Sequence, residues 1–197
     1  MSKKVSRNTQ ARIVKAAWNL FYSQGYENTT VEEIVDESGT SRGSFYHYFK
    51  SKDELLNTLA ELFDNKYSEI RPALDGKESA CEKLLYLNRE LFFMIENSVS
   101  MDLLARMYSS QLISNSDRNL LDHNRIYYKL LREIVSEGMK NGEFDPSLTV
   151  NEIVKAYAMM ERALISDWCL SNGEYSLVNE AEKQLPRMLK GYLNPNS

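Results

Sequence analysis

The sequence predicts an all-α protein of about nine helices and no sheet. Apolar residues recur at helical spacing along almost the whole chain, the breaks between those runs fall at Gly, Pro and Asn, and no stretch alternates as a strand does. Ile13, Ala16, Ala17, Leu20 and Phe21 define the first helix, which ends at Gly25. Thr30-Val-Glu-Glu33 has the S/T-x-x-E form of a capping box and opens a short helix carrying Ile34 and Val35 that stops near Gly39. Ser41 caps another short helix reaching Tyr48. Ser51-Lys-Asp-Glu54 is read as a second capping box, starting one long helix through Leu55, Leu59 and Phe63 to Pro72. Leu84 to Ile95, Leu103 to Tyr108 and Leu120 to Val135 mark three more helices. Two long ones follow the Asn141-Gly-Glu-Phe144 turn, and Pro186 places a kink in the last.

Composition narrows the class of protein. With 43% hydrophobic and 26% charged residues in 197, the chain can bury a substantial core. No apolar run approaches the roughly 20 residues of a membrane span, and the first residues lack the apolar stretch of a signal peptide, so a cytoplasmic protein with no membrane partner is expected. Cys81 and Cys169 have no Cys or His neighbour at ligand spacing; no metal and no disulfide are expected, and both read as small buried hydrophobes. The net charge of −4 argues against nucleic acid, but its distribution argues the other way. Lys3, Lys4, Arg7, Arg12 and Lys15 face no acid before residue 16, and eight basic residues meet seven acidic ones before Leu55, against sixteen and twenty-one after it. A basic arm on a near-neutral head suits phosphate contact at one end of the molecule; a solvated tail would look the same.

The informative stretch is Glu32 to His47, two short helices joined by a tight turn at Gly39. If Ile34, Val35 and Phe45 face Leu20 and Phe21, the second helix turns Arg42, Gly43, Ser44, Tyr46 and His47 outward. An arginine there can grip a guanine edge or a phosphate, Gly43 permits close backbone approach, and Ser44, Tyr46 and His47 supply phosphate or base contacts. Lys52 adds a cation at a helix start. Spacing alone leaves a plain helical subdomain with a polar face equally open.

Thr29-Thr-Val-Glu-Glu-Ile-Val-Asp-Glu-Ser-Gly39, followed by Ser41-Arg-Gly-Ser-Phe-Tyr-His-Tyr-Phe-Lys-Ser-Lys-Asp-Glu-Leu55, resembles the amino-terminal signature of TetR-family regulators. The resemblance covers about the first 60 residues, with Thr40 standing where the family usually has an apolar residue. It implies a DNA-binding domain over 1–50 and a helical ligand-binding and dimerisation domain over 51–197, without a cofactor. It also implies DNA contacts from Thr29 or Thr30, Ser41, Arg42, Gly43, Ser44, Tyr46, His47 and Lys52, and a ligand cavity among the middle helices. Phe63, Tyr67, Met94, Tyr108, Tyr127 and Met160 are the wall candidates, suiting an apolar or aromatic effector.

Other signals have plainer explanations. Gly39-Thr-Ser41-Arg-Gly43 fits the G-x-S-x-G of a hydrolase nucleophile elbow, but that chemistry needs a strand entering the turn. His123 has no second ligand at metal spacing, and Met159-Met160-Glu161-Arg162 reads as core methionines with a charged flank, a pocket role for Met160 or Glu161 being the alternative. The last two helices look apolar on more than one face, through Ile153, Tyr157, Leu164 and Trp168 on one and Ala181, Leu185, Met188 and Tyr192 on the other, which suggests a four-helix homodimer interface. A helical protein-interaction module or a helical enzyme would share these amphipathic patterns without salt-dependent binding to duplex DNA. A DNA regulator predicts that Arg42→Ala costs about 1–3 kcal/mol at the specific site, and that Lys52→Ala weakens all sequences alike and lowers the salt slope by about one, both read from duplex titrations at several salt concentrations.

Overall fold

The computed structural model describes residues 2–113 and 119–195, with side chains described from residue 8 onward; the side chains of Lys3, Lys4 and Arg7 lie outside the described residues. Among these residues there are ten α-helical segments: α1 (Ser2–Gln24), α2 (Val31–Ser38), α3 (Arg42–Tyr48), α4 (Lys52–Leu56), α5 (Thr58–Ile70), α6 (Ala80–Ser98), α7 (Met101–Ile113), α8 (Ile126–Lys140), α9 (Val150–Leu170) and α10 (Leu177–Lys190). Counting α4 and α5, parted only by Asn57, as one rod gives the nine expected. The only β-type pairing among the described residues is an isolated bridge between Phe144 and Leu193. The chain divides into two compact units, Met1–Leu59 and Ala60–Ser197.

In the first unit α1 lies against both α2 and α3. Ile13, Ile34, Phe45 and Leu55 are fully buried, with Phe21 and Val35 nearly so, while Leu20 is half-buried. Each such side chain contributes about 1.5–3 kcal/mol through removal from water. The single rod expected from Ser51 to Pro72 is interrupted because Thr58 donates its hydroxyl to the Leu55 carbonyl at 2.6 Å and accepts from Trp18 Nε1 at 2.9 Å. A hydroxyl taking a helix carbonyl competes with the backbone ladder, and Asn57 answers with a bond to Glu54. The capping box expected at Ser51 does not form. Ser51 makes no side-chain cap bond, and the Glu54 carboxylate accepts from the Lys50 N–H at 2.6 Å instead.

In the second unit α10 packs on α6 and α9, α8 on the same pair, and α7 on α9. Two capping boxes that the sequence reading passed over, Ser79 with Glu82 and Thr149 with Glu152, fix the starts of α6 and α9. Cys81 and Cys169 are free and half-buried rather than fully buried, and burial, with Glu143 nearby, pushes the Cys81 thiol up to about 11. Pro186 lies inside α10 and is exposed.

One end of this unit is tied tightly. The turn after α8 buries Phe144, the Glu143 carboxylate accepts from the Ala80 N–H at 2.8 Å, and the Asp145 and Asn194 N–H groups bond to the Tyr192 and Glu143 carbonyls at 3.0 and 2.9 Å. Gly138 of α8 makes that closeness possible, because a Cβ there would lie 2.5 Å from the Phe144 ring and 2.6 Å from Ala80 Cβ. Gly138→Ala is therefore expected to destabilise the protein by about 1–3 kcal/mol, the usual cost of overpacking. Gly76→Ala, where a Cβ meets nothing within 4 Å, serves as the control in the same thermal-unfolding experiment.

Candidate functional site

The helix pair begins with a cap that forms as the sequence suggested. Thr30 accepts from the Glu33 N–H at 3.2 Å, and the Glu33 carboxylate accepts from the Thr30 N–H at 2.7 Å, which together with the Thr30 hydroxyl holds the Glu33 carboxyl below its usual range. At the other end of α2, Gly39 has φ +58°, a left-handed conformation that costs a side-chain-bearing residue about 1–2 kcal/mol. From α1 the Arg12 guanidinium donates to the Ser38 and Gly39 carbonyls at 2.5 and 2.8 Å, satisfying acceptors that the end of α2 leaves without partners. Thr40 is accommodated through its hydroxyl, 2.7 Å from that of Ser38. The chain then re-enters a helix at once: Ser41 is the N-cap of α3, accepting from the Ser44 N–H at 3.1 Å. A helix, not a strand, enters this turn, so Ser41 is a cap and not a strained nucleophile.

Phe45 anchors α3 inward, and Arg42, Gly43, Tyr46 and His47 are exposed with Ser44 half-exposed beside them. Arg42 is paired with Glu32 of α2 at 2.6 Å, both side chains well exposed. Of the two threonines, Thr30 is exposed, whereas Thr29 is buried with its hydroxyl donated to the Gly25 carbonyl. Lys52 donates to the Tyr26 and Thr29 carbonyls at 2.7 Å each and sits 4.2 Å from the centre of the Tyr26 ring, while the Tyr26 hydroxyl donates to Asp53. Lys52 thus clips the start of α4 to the loop before α2, and any loss on its removal includes the loosening of that joint.

The second unit holds a partly open cavity of about 40 Å3 lined by residues from α5, α6, α7, α8 and α9 with the short turn before α8. Of the six wall candidates, Phe63, Tyr67, Tyr108 and Tyr127 line it; Met94 and Met160, both half-buried, do not. Arg125, Glu161 and Arg162 give the cavity a polar side beside Leu91, Phe92 and Ile165. Glu161 is only 4% exposed; its carboxylate accepts from Asn88 Nδ2 at 2.7 Å and from the Tyr127 hydroxyl. Burial pushes the Glu161 carboxyl up, only partly countered by those donors and by Arg162. Burial, then the neighbouring Glu161, also raises the Tyr67, Tyr108 and Tyr127 hydroxyls. Arg125 is committed to Asp64, at 2.9 and 3.2 Å, and to the Ala60 carbonyl; Arg162 donates to the Tyr128 hydroxyl at 3.0 Å.

A helix-turn-helix with its second helix turned outward, carried with a helical unit that holds a polar-sided cavity, defines a DNA-binding regulator with a sensing domain. The comparisons agree: residues 13–59 match the family of bacterial regulatory proteins of the tetR type, and residues 59–193 match the YsiA-like C-terminal region. The chain belongs to the TetR family of transcriptional regulators. It is 28% identical over 145 residues to the transcriptional repressor KstR2 of Mycolicibacterium smegmatis, covering 73% of this chain and 71% of that one. Its fold matches Thermus thermophilus FadR, a TetR-family repressor solved with lauroyl-CoA, with a TM-score of 0.79 at 25% identity over 92% and 93% of the two chains. FadR of Bacillus subtilis, solved with stearoyl-CoA, gives 0.71 at 23% identity over 92% and 98%.

Glu161 yields a test of the cavity's electrostatics. A carboxyl whose folded pKa lies above its unfolded value favours the folded state most at low pH, and that contribution is lost as pH rises through the folded value. Glu161→Gln removes the dependence, so the melting temperature of the variant relative to wild type is expected to rise as pH is raised above the ordinary carboxyl range, read from thermal unfolding over a pH series.

Proposed function

We propose that the protein represses transcription as a cytoplasmic homodimer, each subunit laying α3 in the major groove of one half of a palindromic operator, and that a small apolar or aromatic effector entering the cavity releases it. The exposed face of α3, held by the buried Phe45 and aimed by the Arg12 grip on the turn, is the observation that carries this function. In this role the protein is a regulator rather than an enzyme. Acyl thioesters, the class held by the two FadR structures, are the first effectors to try.

Dimerisation through α9 and α10 is supported by residues other than those the periodicity picked out. Ile153, Tyr157, Leu164, Trp168, Ala181 and Leu185 are buried in the chain's own core, with Met188 and Tyr192 half-buried. The outward strip of α9 is Ala156, Met159, Ala163 and Leu170, with Met159 53% and Leu170 85% exposed. A two-fold dimer sets its recognition helices about 34 Å apart or a multiple of that. The effector acts by favouring a different spacing; a loss of operator affinity of about 100-fold requires a preference of about 2.7 kcal/mol for the released state.

Selection from random duplexes followed by footprinting is expected to return one palindrome protected over both halves; no enriched sequence would refute the proposal. Glu32→Gln frees Arg42 from an exposed pair of the kind worth about 0.2–1 kcal/mol, so operator affinity is expected to rise up to about fivefold, while Arg42→Ala lowers it.

A further inference from the structure

We infer that Glu161 makes the cavity select an effector whose buried end donates a hydrogen bond, an alcohol or an ammonium group, over one that ends in a carboxylate. This rests on the proposed role of the cavity as the effector site and concerns what that site prefers.

The inference begins with the way the buried carboxylate is satisfied. Glu161 is held by an amide and a phenol, both neutral. Neither guanidinium that shares the cavity is hydrogen-bonded to Glu161: Arg125 is bound to Asp64 and the Ala60 carbonyl, and Arg162, which donates to Tyr128, acts on Glu161 through its charge alone. Tyr157, one turn earlier on α9, shares its hydroxyl between the Leu84 carbonyl, at 2.6 Å, and the neighbourhood of the Glu161 carboxylate. A carboxylate offers about four acceptor sites; Asn88, Tyr127 and, by proximity, Tyr157 take up to three, which leaves at least one for a donor from the cavity. An ion held in low dielectric without a full complement of donors is costly, and a ligand that supplies one recovers part of that cost.

The surroundings favour the same class. Phe63, Tyr67, Phe92, Tyr108 and Tyr127 line the space around Glu161, and aromatic faces attract ammonium groups and polarised O–H or N–H donors. A ligand carboxylate would instead meet a like charge at Glu161, with Arg125 held by Asp64 and the charge of Arg162 set against Glu161 itself. The charged groups about the cavity, Asp64, Arg125, Glu161 and Arg162, balance in pairs, so the preference comes from position and not from net charge. At about 40 Å3 the space admits roughly three waters, which is the size of a polar terminus and not of a whole effector. The body of the molecule is accommodated by movement of the apolar wall. A bare acyl tail offers Glu161 nothing; a hydroxylated or aminated tail gives it a partner.

The experiment compares octylamine, 1-octanol and octanoate by calorimetric titration of the full-length protein. Octylamine and octanol are expected to bind at least about tenfold tighter than octanoate, and Glu161→Gln is expected to remove about tenfold of the octylamine preference. Tyr127→Phe keeps the ring while freeing one Glu161 oxygen, so it is expected to retain or strengthen octylamine binding. Ile165→Trp, which fills the cavity, is expected to abolish binding of all three. If Ile165→Trp changes nothing, the cavity is not the effector site and the proposed function loses its sensor. If Ile165→Trp blocks binding but octanoate matches octylamine, or Glu161→Gln leaves the ranking unchanged, the role of Glu161 is overturned and the cavity stands. Failure of all three compounds to bind the wild-type protein also overturns it.

Discussion

Arg12 reaches from α1 to the end of α2, where one guanidinium donates to both the Ser38 and Gly39 carbonyls, and the direction in which α3 leaves the turn depends on that grip. A helix end presents carbonyls with no partner inside the helix, and a cation there is favoured by the macrodipole as well as by the hydrogen bonds. The arrangement makes a three-point frame: Arg12 on the turn, Phe45 in the core and Lys52 clipping α4 to the Tyr26 and Thr29 carbonyls. With those three fixed, the outward face of α3 is presented without further adjustment, and none of the residues upon it is needed to hold the frame.

The regulatory unit uses polar contacts differently. Its core is apolar and aromatic, yet Glu161 and Asn88 are buried within it, the Glu161 carboxylate accepting from both the Asn88 amide and the Tyr127 hydroxyl. Such a network adds little net stability, since desolvation consumes most of the gain, but it ties α6, α8 and α9 into a single register at one carboxylate. Polar groups kept in a core at that expense are the natural place for a ligand to act.

Most of the fold was legible because helix periodicity and caps are local signals. The Thr30 capping box, the Gly39 turn and the inward set of Ile34, Val35 and Phe45 need only a few neighbouring residues to specify them. The S/T-x-x-E pattern also marks Ser79 and Thr149, so those caps were within reach; it misled at Ser51, where an extended backbone at φ −153° and ψ 169° sends Glu54 back to Lys50. The break at Asn57 depends on Thr58 meeting Trp18, forty positions away, which no local pattern carries. In the cavity four aromatic walls were found, and of the polar side Glu161 was named only as the alternative to a charged flank beside core methionines. Glu161 continues the buried register of Ile153, Tyr157, Leu164 and Trp168, and an acid on the inward face of a helix was the available signal, while Met160, one position earlier, falls off that face. On α9 and α10, periodicity showed where apolar residues lie but not which set meets the chain's own core and which faces out.

The closeness that Gly138 permits governs how the second unit can move. The start of α6, the end of α8 and the Phe144 turn are pinned together there, whereas Tyr127, near the other end of α8, belongs to the cavity wall. Eleven residues separate Gly138 from Tyr127, a lever arm of about 16 Å at the helical rise. A stroke of about 1 Å at the cavity end then needs a swing of only about 3.5° about the pinned end, well inside what packed helices absorb without losing their contacts. Clamped at Gly138, α8 would turn any displacement of its cavity end into rotation about that contact.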